Sequence, residues 1–386
     1  MRLTLGLPRM RKEQRERRDF LPDLVKVALE ADCEVLVERG VGSGLGLTES
    51  DYTALGGRVR MVDHPLAWKC DLVLVLRSPE VEDYATLLRP ETTLVAMLHL
   101  PTRPRRVARL TALEVEAVSL DSIVDDTGAR LVENTRAVGW NGLEASFEAL
   151  ERFSPERLIP GAPPISVTVL GSGQVGRHAI DAATKYGSKE RARRWATEGR
   201  PPVQVTVLGR ALTRLEDEVR RVFRHTDILV DASQRADPSV PLIPNLWLGD
   251  LPRDAVVCDL VVDPYVLTGI PRTVRSIEGI PLGNLDRYVF AVNDPAWSNT
   301  VPPSISQQFR RPVASCYSWP GIHPLECMDH YGRQLAPLLT RLIACGGARG
   351  LRSTGDAAQR ALWRASLRAQ RWARTDGPDG TAAMVA

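Results

Sequence analysis

The segment ISVTVLGSGQVG, residues 165–176, decides how this chain is read. A β-branched apolar run leads into three glycines in the GxGxxG spacing, Gly171, Gly173 and Gly176. The chain then continues as VGRHAIDAATKYG, a good helix former. Strand, glycine turn and helix in that order form the context in which the motif binds a dinucleotide. Gly171 makes the tight turn, Gly173 lets backbone approach a pyrophosphate, and Gly176 lets helix and strand pack closely. The helix N-terminus offers the phosphates free N–H groups and the positive end of its dipole. Gly171, Ser172, Gly173, Gln174, Val175 and Gly176 are therefore the expected cofactor loop.

The string VTVLG occurs at 167–171 and again at 205–209. Where the second copy ends, an NAD-specific protein carries an acidic residue for the ribose 2′-hydroxyl. This chain has Gly209 and Arg210 there, with Arg214 a turn further on. A carboxylate repels a 2′-phosphate, whereas a guanidinium clamps one bidentately. Charge-assisted hydrogen bonds contribute roughly 1.5–3 kcal/mol, about one to two decades of affinity. The expected cofactor is NADP(H), with NAD(H) as the alternative. The competing reading makes both arginines ordinary surface residues. The insert SKERARRWATEGRPP (188–202) lengthens the connection between the copies and has no function legible in sequence.

Working outward, RLTLGLP, CEVLVE (33–38), CDLVLVLRSP (70–79) and TTLVAMLHL (92–100) read as strands upstream, with an amphipathic helix over LPDLVKVALEA (21–31). Downstream, VQVTVLGR, TDILVDAS (226–233) and DAVVCDLVVD (254–263) continue the series. Strands alternating with helices predict parallel sheets covered on both faces, an α/β fold. The segment 134–153 reads as a long helix, and the Pro/Gly-rich SPERLIPGAPP after it is the clearest break in composition. QLAPLLTRLIA (334–344) reads as an apolar-faced helix, and TDGPDGTAAMVA at the end as a disordered tail.

At 386 residues the chain is long enough for two domains, and 44% hydrophobic with 25% charged residues is a globular composition. A net charge of +3 is too small to make nucleic acid the main partner. The basic clusters at 9–18, 189–195 and 360–374 read as solvated helix faces. No apolar run approaches the roughly 18 residues of a membrane span, and the N-terminus does not resemble a secretory signal. Cysteines 33, 70, 258, 316, 327 and 345 lack CxxC spacing, which fits a cytoplasmic chain with free thiols. His323, Cys327 and His330 are possible zinc ligands. They lack an evident fourth partner, and their spacing suits any helix face, so no metal is expected.

With these motifs in place, the order and spacing resemble the family of alanine dehydrogenase and the nicotinamide-binding part of transhydrogenase. They are also similar to its NADP-using relatives, carboxyethyl-ornithine synthase and the saccharopine-forming lysine reductases. The likeness runs over about residues 1–310 and is carried by short matches. It implies two Rossmann-like domains with an active-site cleft between them. The implied division is a substrate domain over 1–135, a nucleotide-binding domain over 136–300, a return to the substrate domain over 301–350, and a basic helix with the tail over 351–386.

Arg17, in LGLPRMRKEQRERR with Arg15 and Arg18 beside it, matches the family's arginine for the substrate carboxylate, which a planar fork suits. Arg77 stands where relatives have lysine. Arginine can bind a carboxylate but cannot exchange a proton, so Arg77 is expected to anchor substrate. His99, in MLHLP, matches the active-site histidine, whose ordinary pKa suits proton transfer near neutrality. The alternative is a satisfied core histidine. Of Asp259 and Asp263, the second lies where the family has an aspartate facing the nicotinamide and the substrate nitrogen, although Pro264 and Tyr265 follow it in place of Gln-Gly-Gly. Asn293, in YVFAVNDPAWSN, matches a nicotinamide contact, and Glu133 with Asn134 falls where the family lines the cofactor cleft.

The resemblance thus implies an NAD(P)H-dependent oxidoreductase acting at the C–N bond between a 2-oxo acid and ammonia or an amino acid. It would be cytoplasmic and a homo-oligomer, dimer or hexamer, with small molecules rather than membranes or nucleic acid as partners. Three rivals remain: an NAD-using alanine dehydrogenase, one half of a proton-pumping transhydrogenase, and a catalytically silent NADPH-binding sensor.

Overall fold

A computed structural model describes residues 2–11, 13–269 and 272–375. Among these, twelve strands form two six-stranded sheets. The first contains β1 (Thr4–Leu7), β2 (Glu34–Glu38), β3 (Val59–Val62), β4 (Leu72–Arg77), β5 (Thr93–Met97) and β6 (Glu116–Ser119). Their order is β3-β2-β1-β4-β5-β6 and every pairing is parallel. The second contains β7 (Ile165–Leu170), β8 (Val203–Leu208), β9 (Ile228–Asp231), β10 (Val256–Asp259), β11 (Val289–Phe290) and β12 (Val313–Ser315). It is ordered β11-β12-β10-β9-β7-β8, with β11 antiparallel to β12.

Strands such as LVLVLR in β4 are buried on both faces, which is why they read as continuous apolar runs. In each sheet the strand order reverses once, at β1/β4 and at β7/β9. Open α/β sheets bind ligands outside the carboxyl ends of the strands at such a switch point.

The chain divides into two compact units, Met1–Glu133 with Pro324–Ala386, and Asn134–His323. The return to the first unit therefore comes at 324 rather than 301. The intervening residues supply β12 to the second sheet, and the Trp319 indole donates to the Asp259 carbonyl at 2.8 Å within the second core. The Pro/Gly-rich break at 154–164 lies inside the second unit. That unit begins with the helix Thr135–Phe153, which Asn134 caps by accepting from the Ala137 N–H at 3.3 Å.

The apolar-faced helix spans Pro324–Ala344, ten residues more than its leucine-rich half suggests. It packs Met328, Leu335, Leu339 and Leu342 into the first core. The basic segment 360–374 is more than a solvated face. The Ser119 N–H donates to Ala365 O at 2.8 Å, fastening the C-terminal helices to β6, and Arg360 and Arg364 both reach Asp126. The insert 188–202 likewise contributes to a core. Its helix Lys189–Thr197 buries Trp195 edge-on against Phe147 and Tyr186. The expected disordered tail lies, after Thr375, outside the described residues. Among the described residues, no helix is long and apolar enough to cross a membrane.

Candidate active site

In the second unit, the β7 strand ends on Gly171 with φ +93°, a left-handed conformation that favours glycine. A Cβ on Gly176 would sit 2.3 Å from the Gly171 carbonyl oxygen, so helix and turn are in direct backbone contact there. Gly173, the N-cap of the helix Gln174–Ala183, differs: a Cβ there meets nothing within 4 Å. Ser172, Gly173 and Gln174 are exposed, while Val175 is half-buried. The open face of the loop therefore presents the N-terminus of a ten-residue helix at the β7/β9 switch point. These residues fit a pyrophosphate.

At the end of β8, the Gly209 carbonyl accepts from the Leu212 and Thr213 N–H groups at 2.9 and 3.1 Å, closing a tight turn. Arg210 and Arg214 are both exposed. The Arg210 Nη2 comes within 3.5 Å of the Gln234 carbonyl, in the loop after β9.

Asp263 is half-buried and paired with Arg235, whose side chain also donates to the carbonyls of Val240 at 2.6 Å and Val274 at 2.7 Å. Asn293 is exposed in the turn after β11. Glu133 and Asn134 are occupied structurally. The Glu133 N–H donates to Gln334 Oε1 at 3.0 Å, and Asn134 serves as the helix cap.

Sequence reasoning weighed Asp259 but passed over the polar group it belongs to at the strand ends. Asp231, Asp259 and Ser315 stand in register on β9, β10 and β12. Fully buried Arg275 pairs with Asp259 and donates to Ser315 Oγ at 2.8 Å. Burial pushes the Asp231 carboxyl up, against the bonds it accepts from Ser233 Oγ at 2.6 Å and the Ser233 N–H at 3.1 Å. Burial also draws the Arg275 guanidinium down to about 9. The available signal was the charged residue closing each apolar run, in ILVDAS and VVCDL.

In the first unit, His99 lies two residues beyond β5 with φ +51°. Its side chain is 54% exposed, so the core-histidine reading fails. Its N–H donates to Asp121 Oδ1 at 3.1 Å, and its Nδ1 lies 3.2 Å from Asp121 Oδ2. Ser119 Oγ donates to the same carboxylate at 2.8 Å. Burial alone would raise the Asp121 carboxyl, but the bonds from His99 and Ser119 outweigh it and hold the group well below the usual range. Asp121, which sequence reasoning missed, thus orients a solvent-facing imidazole, as proton-transfer histidines require.

Arg77 closes β4, its N–H directed at Met10 Sδ 3.4 Å away. It borders a pocket of about 270 Å³ at the β1/β4 switch point, together with Arg9, Arg11 and Glu16 from the loop after β1, and His64 and Trp68 from the segment after β3. Arg17 does not line this pocket. It is exposed and packed over Gly44, and its neighbour Arg18 is buried against Glu16, with Nε to Oε1 at 2.8 Å. The structure thus places Arg77 in a cavity with other arginines and sets Arg17 apart.

The three possible zinc ligands go separate ways. His323 Nε2 meets Glu144 at 2.6 Å, Cys327 is buried in the first core, and His330 Nε2 meets the Glu133 carbonyl at 2.8 Å.

Residues 6–134 match the family model described as the alanine dehydrogenase/PNT N-terminal domain. Among curated proteins, the chain is 23% identical over 286 residues to an alanine dehydrogenase of Halomonas elongata, covering 68% of this chain and 73% of that one. It is 22% identical over 271 residues to an alanine dehydrogenase of Staphylococcus epidermidis, covering 68% and 72%. Among solved structures, an L-alanine dehydrogenase superposes with TM-score 0.70 at 19% identity, over 94% of each chain. A transhydrogenase from Sinorhizobium meliloti superposes with TM-score 0.66 at 16% identity, over 93% of this chain and 97% of that one. The order of the two sheets, the glycine turn after β7 and these likenesses agree: residues 6–134 match the N-terminal domain of the alanine dehydrogenase/PNT family, and the chain has the fold of L-alanine dehydrogenase.

Proposed function

We propose that this chain is an NAD(P)-dependent oxidoreductase acting on the C–N bond of an amino acid, with NADP(H) the favoured cofactor. The observation that carries the reading is the glycine loop: a left-handed turn at Gly171, backbone contact at Gly176, and open space above Gly173. The cofactor's pyrophosphate would lie over Gly173 against the N–H groups of the helix that follows, and its ribose would lie by Arg210 and Arg214. The nicotinamide, when bound, supplies or accepts the hydride.

The rest falls to side chains. Arg77 would hold the substrate carboxylate as a fixed cation, with Arg17 as the second candidate. His99, oriented by Asp121, would give or take the proton as the 2-oxo acid and amine interconvert with the imine. Asp263, fixed by Arg235, would place a negative charge beside the developing iminium. The protein would work in the cytoplasm as a homo-oligomer on small-molecule substrates.

A plain NAD-dependent alanine dehydrogenase is the second reading, favoured by the names of the curated relatives. Arg77 in place of lysine, and Arg210 in place of an acid, favour the first.

The test is cofactor oxidation with pooled 2-oxo acids, with and without ammonia, ornithine or lysine. We expect amine-dependent turnover, which His99→Gln lowers by about 10²–10⁴-fold. Full-rate turnover in His99→Gln would remove the histidine from the reaction. Tight cofactor binding with no turnover across the panel would leave a sensor.

A further inference from the structure

We propose that the pocket beside Arg77 binds a second carboxylate on the substrate, so that the preferred oxo acid or amino acid is dicarboxylic. This deepens the reading above and rests on it for the reaction, though not for binding.

Size is the first argument. At about 30 Å³ per water, the cavity's volume of about 270 Å³ has room for roughly nine waters, more than a three-carbon acid fills.

Charge is the second. Most ionic groups around the pocket are already neutralised within the first unit. Arg18 takes Glu16. Glu38, buried at the end of β2, takes Arg11, the Arg9 N–H at 2.9 Å and His64 Nδ1 at 2.8 Å. Two acidic side chains also line the cavity, Glu80 and Asp83; both are exposed, and Glu80 stands 3.6 Å from Arg106.

Apart from the Asp83 carboxylate on the rim, what is left over consists of donors. The Arg9 guanidinium forms no ion pair within 4 Å among the described residues, although its charge also acts on the buried Asp19 carboxyl. Its Nη1 lies by Gly40, where a Cβ would be 3.1 Å away. Trp68 is 2% exposed, and its buried indole N–H has no acceptor among the described residues. Buried indole N–H groups ordinarily find a partner. Its ring is immobilised by stacking on Tyr84, 4.9 Å between centroids and 5° from parallel. Arg9 and Trp68, which line one cavity with Arg77, carry donors that match an anion with several acceptor oxygens, and Arg77 accounts for only one of the substrate's carboxylates.

Calorimetry with glutarate and butyrate, which carry two carboxylates and one, tests the pocket without the redox reaction. Glutarate is expected to bind at least about tenfold more tightly than butyrate. Arg9→Gln is expected to erase most of that difference, and Trp68→Phe to reduce it about threefold. Turnover with ammonia should follow: Arg9→Gln raises KM for 2-oxoglutarate about tenfold more than KM for pyruvate. Equal binding of the two acids, or equal weakening of both by Arg9→Gln, overturns the proposal. If glutarate binds as expected while no oxo acid is reduced, the oxidoreductase reading fails and the pocket stands. If pyruvate is turned over while glutarate does not bind, the reverse holds.

Discussion

At the β1/β4 crossing of the first sheet, the chain places a loop crowded with arginines around a pocket. At the β7/β9 crossing of the second, it places glycines over an open helix N-terminus. The two sheets share an architecture, and both switch points are where such sheets take ligands. The difference lies in what each loop uses for recognition. The first presents side chains, and therefore charge, as recognition of a small acid would require. The second withdraws side chains, as backbone N–H groups would need in order to reach a phosphate. The fold supplies the location in both cases, and the loops supply the chemistry.

Two glycine variants should break that comparison most visibly. Gly176→Val drives a side chain into the Gly171 carbonyl, which backbone contact at 2.3 Å cannot accommodate. Overpacking of this kind typically costs about 1–3 kcal/mol or more. We expect a lowered Tm together with loss of dinucleotide binding. Gly173→Val should keep the Tm of the parent and still lose most dinucleotide affinity, because it fills only the space a ligand needs. If both variants melt early, or if Gly173→Val binds normally, the loop is a structural turn.

A smaller effect sharpens the account of the first unit. Asp19, in the loop after β1, accepts the Gly42 N–H at 2.8 Å, yet burial pushes its carboxyl up to about 6. Between about pH 4 and 6 the folded state then holds a proton that the unfolded state has released. Stability contributed by Asp19 is present at the acid end of that window and is lost as the pH rises through it. The total is on the order of 3 kcal/mol, at about 1.4 kcal/mol per unit. Urea unfolding of Asp19→Asn should show a flatter pH dependence over this range than the parent. Parallel curves would place Asp19 in a wetter setting.

Much of this was legible in sequence because it is local. β1, β4, β7 and β8 are short apolar runs closed by a turn residue, and GxGxxG names its own geometry. β3 was missed because VRMV carries an exposed arginine, and β12 because three residues between prolines and serines make no pattern. The boundary at 324 depended on that missed strand. Of the candidate site, sequence could name only single residues at strand ends, such as Arg77 and His99. Its supporting partners come from distant sequence: Asp121 for His99, Arg235 for Asp263, and Glu38 for Arg11. No periodicity encodes such pairs. Nor could a run of arginines reveal that Arg18 turns inward to Glu16 while Arg17 stays outside the pocket.

If the second unit holds a dinucleotide with Arg210 beside its ribose, that side chain sets the choice between NADPH and NADH. A binding titration of NADPH against NADH, in the parent and in Arg210→Ala, tests it most directly. The parent is expected to prefer NADPH, and Arg210→Ala to lose about one to two decades of NADPH affinity, bringing it towards that of NADH. Equal affinities for both nucleotides in both proteins would contradict it.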